Sequence, residues 1–267
     1  MKKTVYIFIA SILSNNLVFG NNIKKINNSI YLAAQMTGLD YYEYNDQINN
    51  LDQQTGFLWG GRLGATASFN NIYFSVETYS TVGQTQFKGV IVELPNTYLN
   101  SNGTNVINNI NAKLGYTLYL KDNFAITPYL ELGYRFWNRI VEDQVFEGFL
   151  ASGYREVYTT MYGSGGLLFQ YSLSNSLVLG IFGSIGSTIS PKVQSLSTNN
   201  TYYLGASNIY QAGVKLNYFI TNHFSIVSGA EFMYFQYGES STDSNGNFEP
   251  DSKTQQINAY IGLSYSF

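Results

Sequence analysis

FAITPYLELGYRFWNRIV, residues 124–141, is the stretch from which the rest of the chain can be read. Phe124, Ile126, Pro128, Leu130, Leu132, Tyr134 and Phe136 take alternate positions, and Ala125, Thr127, Tyr129, Glu131, Gly133, Arg135, Trp137 and Arg139 lie between them. Every charge in the segment belongs to the second set, where Trp137 is the exception in character. A helix would mix the two sets around its circumference, whereas a strand puts them on opposite faces. The pattern recurs in 108–120, where Ile110, Ala112, Leu114, Tyr116, Leu118 and Leu120 oppose Asn111, Lys113, Gly115 and Thr117. In 224–237, Phe224, Ile226, Ala230, Phe232 and Tyr234 oppose Ser225, Gly229 and Glu231. The last stretch sets Ile257, Ala259, Ile261, Leu263, Tyr265 and Phe267 against Gln256, Asn258, Tyr260, Gly262, Ser264 and Ser266.

The breaks between these runs alternate in kind. Asn70-Asn71, Lys121-Asp122-Asn123, Ser174-Asn175-Ser176 and Thr221-Asn222-His223 are short and rich in turn formers. The segments near 45–54, 89–105, 142–154, 197–206 and 241–253 are long and polar. This spacing predicts ten strands near 29–44, 55–69, 72–88, 106–120, 124–141, 155–173, 177–195, 207–220, 224–240 and 254–267. The expected fold is all-β: a transmembrane antiparallel up-and-down β-barrel of ten strands, with short periplasmic turns and longer extracellular loops. The last strand must then pair with the first, because an open sheet edge cannot sit in lipid.

Composition agrees. Aromatic residues make up 16% and charged residues 12% of the 267, against about 25% charged in an average soluble domain. Mean hydropathy is nonetheless only −0.10, so apolar and polar residues are finely interleaved. So few charges would not coat a soluble barrel, but they suit a lumen. A net charge of −3 with no basic run after residue 25 leaves no electrostatic footprint for nucleic acid. With no cysteine and one histidine, thiol chemistry and Cys/His metal centres are excluded on counts, and no metal or other cofactor is expected. At the amino terminus, Lys2 and Lys3 precede the apolar run Val5–Leu13, and Val18-Phe19-Gly20 offers a cleavage site. Residues 1–20 are therefore expected to be a signal peptide, 21–28 a short extension and 29–267 the barrel domain, exported to the cell outer membrane. The apolar run is shorter than the ~20 residues a membrane-spanning helix needs.

The closing segment Gln255–Phe267, with Leu263, Tyr265 and Phe267 at alternate positions, resembles the last strand of Gram-negative outer-membrane β-barrel proteins. The small OmpA-like and opacity-type barrels, usually of eight strands, are the nearest in style. The resemblance implies a setting of outer-membrane lipid and lipopolysaccharide. It also implies that the barrel assembly machinery reads Leu263, Tyr265 and Phe267. In strand number the chain is similar to the omptin surface proteases, which use a histidine and paired aspartates near the outer rim. The one histidine here, His223, falls in a predicted periplasmic turn, so neither that site nor the Ser-His-acid arrangement of barrel-form lipid A deacylases is expected.

By alternation, Arg62, Glu77, Lys113, Glu131, Arg135, Arg139, Lys215 and Glu231 face the lumen. Arg62 with Glu77, Lys113 with Glu131 and Lys215 with Glu231 each flank one hairpin, so opposite charges are expected to meet across neighbouring strands. Tyr31, Tyr129, Tyr162 and Tyr260 also point inward, and a ten-stranded barrel is narrow. The expected function is that of a non-enzymatic surface barrel with a salt-bridged, largely plugged lumen, acting in envelope integrity or in adhesion to host or environmental ligands. A narrow channel or small-solute porin is the alternative, and an outer-membrane hydrolase comes third. Loss of Arg135 or Glu131 is expected to unblock the lumen. Tyr98, Phe146, Phe149, Tyr154, Tyr202, Tyr203 and Phe248 are the candidate surface-loop contacts. Asp243, Glu249 and Asp251 read as a solvated acidic loop rather than a calcium site. Phe69, Tyr73, Phe74, Tyr119, Phe124, Tyr171, Tyr218, Phe219, Phe224, Tyr265 and Phe267 cluster near the short turns, as a periplasmic-side aromatic girdle would.

Overall fold

A computed structural model describes residues 20–44, 51–90, 97–146, 149–243 and 246–267. The expected signal segment lies outside the described residues except for Gly20. The alternating runs form ten long strands: β1 Ser29–Tyr44, β2 Asp52–Phe69, β3 Ile72–Val90, β4 Tyr98–Tyr116, β5 Phe124–Val141, β6 Tyr154–Ser172, β7 Leu177–Ser195, β8 Asn208–Phe219, β9 Phe224–Tyr237 and β10 Asp251–Ser266. Each pairs antiparallel with its neighbours, and β10 pairs with β1 from Ser29↔Ser266 to Tyr44↔Asp251. The sheet is therefore closed and has no edge.

The barrel is inverted relative to a water-soluble one. Along β5, Leu130 is 71% exposed while Glu131 is 2% exposed. Leu32, Leu63, Phe74, Leu114, Leu132, Ile181 and Ile261 share the outer surface with Leu130. Toward the long loops the outward positions turn polar, at Asp40, Thr55, Gln84 and Gln255. On β10 the outward apolar run covers Ile257 to Phe267, which matches the ~9–11 residues of a tilted transmembrane strand. A belt of that height would be a liability in water but is at home in hydrocarbon.

Local chemistry explains the geometry. At the β2–β3 turn, Asn70 and Asn71 both have positive φ, 48° and 68°, the backbone that a two-residue type I′ hairpin demands and that asparagine tolerates. In β7 one extra residue shifts the register between Ile189 and Lys192, at Ser190 (φ 48°) and Pro191. This bulge spares the strand the N–H that proline lacks and leaves Val193 inward and Lys192 outward. Inward tyrosines lie flat across glycines of the next strand. A Cβ on Gly64 would meet the Tyr31 ring at 2.2 Å, and one on Gly133 would meet the Tyr162 ring at 2.1 Å.

Three features differ from the sequence expectation. β4 starts at Tyr98, not near 106, and stays in register with β3 up to Val90↔Tyr98. Asn102 and Gly103, residue types that favour turns, continue the strand here because paired strands satisfy each other's backbone groups. The expected loops near 142–154 and 197–206 contain short strands, Gln144–Phe146 paired with Phe149–Ala151 and Asn200–Tyr203 paired with the end of β7. The expected extension supplies all but the first residue of helix α1, Gly20–Ile26, which covers the short-turn mouth. Ile23 and Ile26 pack there against Ala125, Val178 and Phe219. Asn22 Nδ2 donates to the Asn175 carbonyl at 2.6 Å, and Asn27 and Gln170 exchange amide hydrogen bonds of 3.1 and 2.8 Å. Of the girdle aromatics, Tyr73 and Phe219 turn inward, and Tyr119 packs partly buried beside α1. Phe69, Phe74, Tyr171, Tyr218, Phe224, Tyr265 and Phe267 stay exposed.

Candidate functional site: the lumen

The lumen holds three layers. Nearest the short turns, six ionic side chains converge across the barrel. Arg62 donates from Nε to Gln35 Oε1 at 2.7 Å and from Nη2 to Glu231, and its guanidinium lies 4.5 Å from the Tyr260 ring centre. Glu77 accepts the Tyr31 hydroxyl at 2.7 Å. Around Glu77 stand Arg62 Nη1 at 4.0 Å, Lys113 Nζ at 3.9 Å and Lys215 Nζ at 3.6 Å. Glu131 accepts from Ser164 Oγ at 3.1 Å.

Above this cluster lies a slab of buried apolar and aromatic side chains that includes Leu58, Tyr79, Ile107, Trp137, Tyr162, Ile209, Met233 and Phe235. Trp137 is anchored by its Nε1 to Asn105 Oδ1 at 2.7 Å and stacks on Tyr158 at 4.9 Å. Arg135 sits in this slab, fully buried. Its guanidinium lies 4.4 Å from the Phe235 ring centre and 5.5 Å from that of Trp137, and none of its three nitrogens is hydrogen-bonded to a described residue.

At the long-loop end Arg139 is the hub. Its Nε donates to Gln54 Oε1 at 2.8 Å, and its Nη1 donates to Glu43 Oε1 at 2.9 Å and to Glu156 Oε2 at 2.8 Å. Asp52 lies 3.5 Å from Nη2 and accepts the Tyr154 hydroxyl at 2.8 Å. Tyr41 donates to Glu43, and Tyr158 donates to Glu249 Oε1 at 3.0 Å. Glu249, in the loop between β9 and β10, is pushed up to about 8 by burial first and by the neighbouring Glu156 carboxylate second. One oxygen each from Glu43, Glu156 and Glu249 lie within 4.8 Å of one another, close enough to share a cation, and Arg139 already bonds two of the three.

All eight charges read from alternation lie inside the barrel; of the expected pairs Arg62 and Glu77 do meet, at 4.0 Å, and the closer contacts run elsewhere. Arg62 meets Glu231 from β2 to β9, and Lys215 meets Glu77 from β8 to β3. In a barrel this narrow the opposite wall is as near as the adjacent strand. Lys113 and Glu131 are opposed in register without forming an ion pair, and Arg135 has no carboxylate partner among the described residues. Sequence reasoning missed Glu43, Asp52 and Glu156, and read Glu249, which turns into the mouth, as a solvated loop residue. Glu43 and Glu156 share inward parity with Tyr31 and Tyr162, so alternation carried that signal.

The loop candidates divide. Tyr98, Tyr203 and Phe248 are exposed. Tyr154 turns inward over Arg139 and Tyr202 packs on the slab, so neither presents its ring as a free loop contact. The side chains of Phe146 and Phe149 lie outside the described residues. Asp243, Glu249 and Asp251 do not converge: Asp243 accepts from Asn247 N, Asp251 accepts from Glu239 N, and Glu249 enters the mouth. His223 lies exposed at the short-turn end, with Nδ1 2.9 Å from the Ser266 carbonyl oxygen and its ring stacked on Tyr265.

No family model and no curated protein matches this chain. Solved structures do match it. The outer membrane protease OmpT from Escherichia coli aligns over 90% of this chain and 96% of its own, with a TM-score of 0.61 at 13% identity. The transport unit of the autotransporter AIDA-I from Escherichia coli aligns over 89% of this chain and 90% of its own (TM-score 0.47, 10% identity). Neisserial surface protein A aligns over 89% of this chain and 97% of its own (TM-score 0.34, 11% identity). At 13% identity the likeness to OmpT is one of fold, a closed antiparallel barrel of the outer-membrane type.

Proposed function

We propose that this chain is a non-enzymatic outer-membrane surface barrel whose lumen is locked shut, acting in envelope integrity or in surface contact. One observation supports this reading above the others: helix α1, the lower ionic cluster, the aromatic slab and the Arg139 hub occupy the lumen from one mouth to the other. In the proposed orientation, after export by a cleaved signal, the short turns face the periplasm and the long loops face outward. The apolar belt meets outer-membrane lipid and lipopolysaccharide. The outward residues Leu263, Tyr265 and Phe267 are the ones offered to the assembly machinery. Tyr98, Tyr203 and Phe248 are the aromatics offered to a host or environmental ligand.

The experiment is single-channel recording of the purified, folded protein in planar bilayers. Silence at all voltages is the expected result. Discrete, reproducible current steps would overturn it in favour of a narrow channel. That second reading has its own support in buried polar atoms without a hydrogen-bond partner on several walls of the lumen, among them Gln211 Oε1 and Nε2, Ser184 Oγ, Thr254 Oγ1 and Gln256 Nε2. Such atoms hold water, and a continuous file of water would conduct.

A further inference from the structure

Between helix α1 and the lower ionic cluster lies a cavity of about 50 Å³. Ile26 and Asn27, just where α1 ends, form part of its lining. Four charged side chains line it: Arg62, Lys113, Lys215 and Glu77. The lining therefore carries three positive charges against one negative. The other two carboxylates of the cluster are not in the lining. Glu231 is bonded to Arg62 and Asn258, and Glu131 to Ser164.

The two ammonium groups are the unusual part. Lys113 Nζ and Lys215 Nζ stand 3.9 and 3.6 Å from Glu77, beyond hydrogen-bond length, and neither donates to any described residue. Glu77 already accepts the Tyr31 hydroxyl. Tyr129, also in the lining and 5% exposed, has a hydroxyl with no hydrogen-bond partner. Lys113 is buried and the Lys215 side chain is 25% exposed; ammonium protons held away from bulk water without a hydrogen-bond acceptor are costly. Acceptors for them have to come from within the cavity. A site for one water needs roughly 10–15 Å³, so the cavity has room for a monatomic anion with a water or two. An anion of chloride size can accept from two ammonium groups at once, and it balances the one positive charge by which Lys113 and Lys215 exceed Glu77 once Arg62 is paired with Glu231, which water cannot do.

We propose that this cavity is a binding site for one small inorganic anion of the halide class, held chiefly by Lys113 and Lys215 and shut in by helix α1. The proposal goes beyond the locked-lumen reading and does not depend on it, since an anion can be trapped whether or not current flows. The anion enters as the barrel folds and is covered when α1 docks. It would tie the plug to the ionic cluster through shared charge.

The test is to refold the protein in sodium bromide, crystallise it and collect anomalous diffraction at the bromine edge. A bromine peak in contact with Lys113 Nζ and Lys215 Nζ is expected, and it should be absent from Lys215→Met refolded in the same way. In parallel, the temperature at which the folded band converts to the unfolded band on gels should be higher in bromide than in gluconate at equal ionic strength, because only the folded state holds the site. Lys215→Met should lose that difference. If Lys215→Met fails to fold, Tyr129→Phe should diminish it. No peak, a peak that persists unchanged in Lys215→Met, or equal conversion temperatures in the two salts for the wild type would each overturn the proposal. None of these outcomes bears on conductance, so the two readings stand or fall separately.

Discussion

Four carboxylates at the long-loop end, Glu43, Asp52, Glu156 and Glu249, gather around a single cation, Arg139. Removing that cation leaves buried carboxylates facing one another with nothing to balance them. Arg139→Met should destabilise the barrel by about 3–5 kcal/mol, seen as a lower urea midpoint, and adding Glu43→Gln and Glu156→Gln should recover part of the loss. Glu249 gives the same cluster a pH dependence. Its folded-state value of about 8 lies above the ordinary 4.5, so the folded state binds its proton more tightly than the unfolded chain does. The stabilisation is therefore complete below about pH 4.5 and is lost as pH rises toward 8. Thermal stability of the wild type should fall across that window, and Glu249→Gln should flatten the fall. A wild type that gains stability over the same window would contradict this assignment. At this scale the sequence showed which charges point inward but not which ones meet. Parity places Arg62 and Glu231 on the lumen side of strands that are not neighbours, and only the closure and width of the barrel bring them together.

Helix α1 is held by two isoleucines, the Asn27–Gln170 amide pair, the Asn22 hydrogen bond, and Lys24 and Lys25 lying 5.4 and 5.6 Å from the Tyr119 and Phe219 ring centres. Ile23→Glu would force a carboxylate into the apolar contact that keeps the helix docked. Trypsin should then cut the folded variant after Lys24 or Lys25 much faster than the wild type, with the barrel left intact by mass. Equal cutting rates would mean that the helix does not rely on Ile23. The seven residues of α1 are too short to be legible as a helix from periodicity, and their stability comes from docking rather than propensity. Strand limits show the complementary effect. Where one face meets lipid, apolar and polar residues alternate sharply, and β5 falls on the residues expected, 124–141. Above the belt both faces are polar. The period-two contrast fades there, which is why the first turns of β4, from Tyr98 to Asn105, read as loop.

The whole barrel was legible because one physical constraint acts on every strand: backbone groups in lipid must pair, so ten alternating runs must close on themselves. What fills the barrel was only partly legible, since the slab and the hub draw on residues from many strands and on Glu249 from a loop. This layering governs what a single substitution can do to conductance. Read strand by strand, the inward charges form one plug, and Arg135→Ala or Glu131→Ala would be enough to open it. Stacked in the lumen, they belong to separate barriers in series, with α1 below and the Arg139 hub above. Current through barriers in series is limited by the highest one that remains. Arg135→Ala removes the only guanidinium in the slab but leaves Trp137, Tyr162 and Phe235 in place, and Glu131→Ala leaves Lys113, Lys215 and Glu77 together. Each variant, folded and tested in planar bilayers, should therefore stay as silent as the wild type. Steady current through Arg135→Ala alone would mean that the layers above and below already pass ions, and the closed lumen would have to be given up for a channel gated at Arg135.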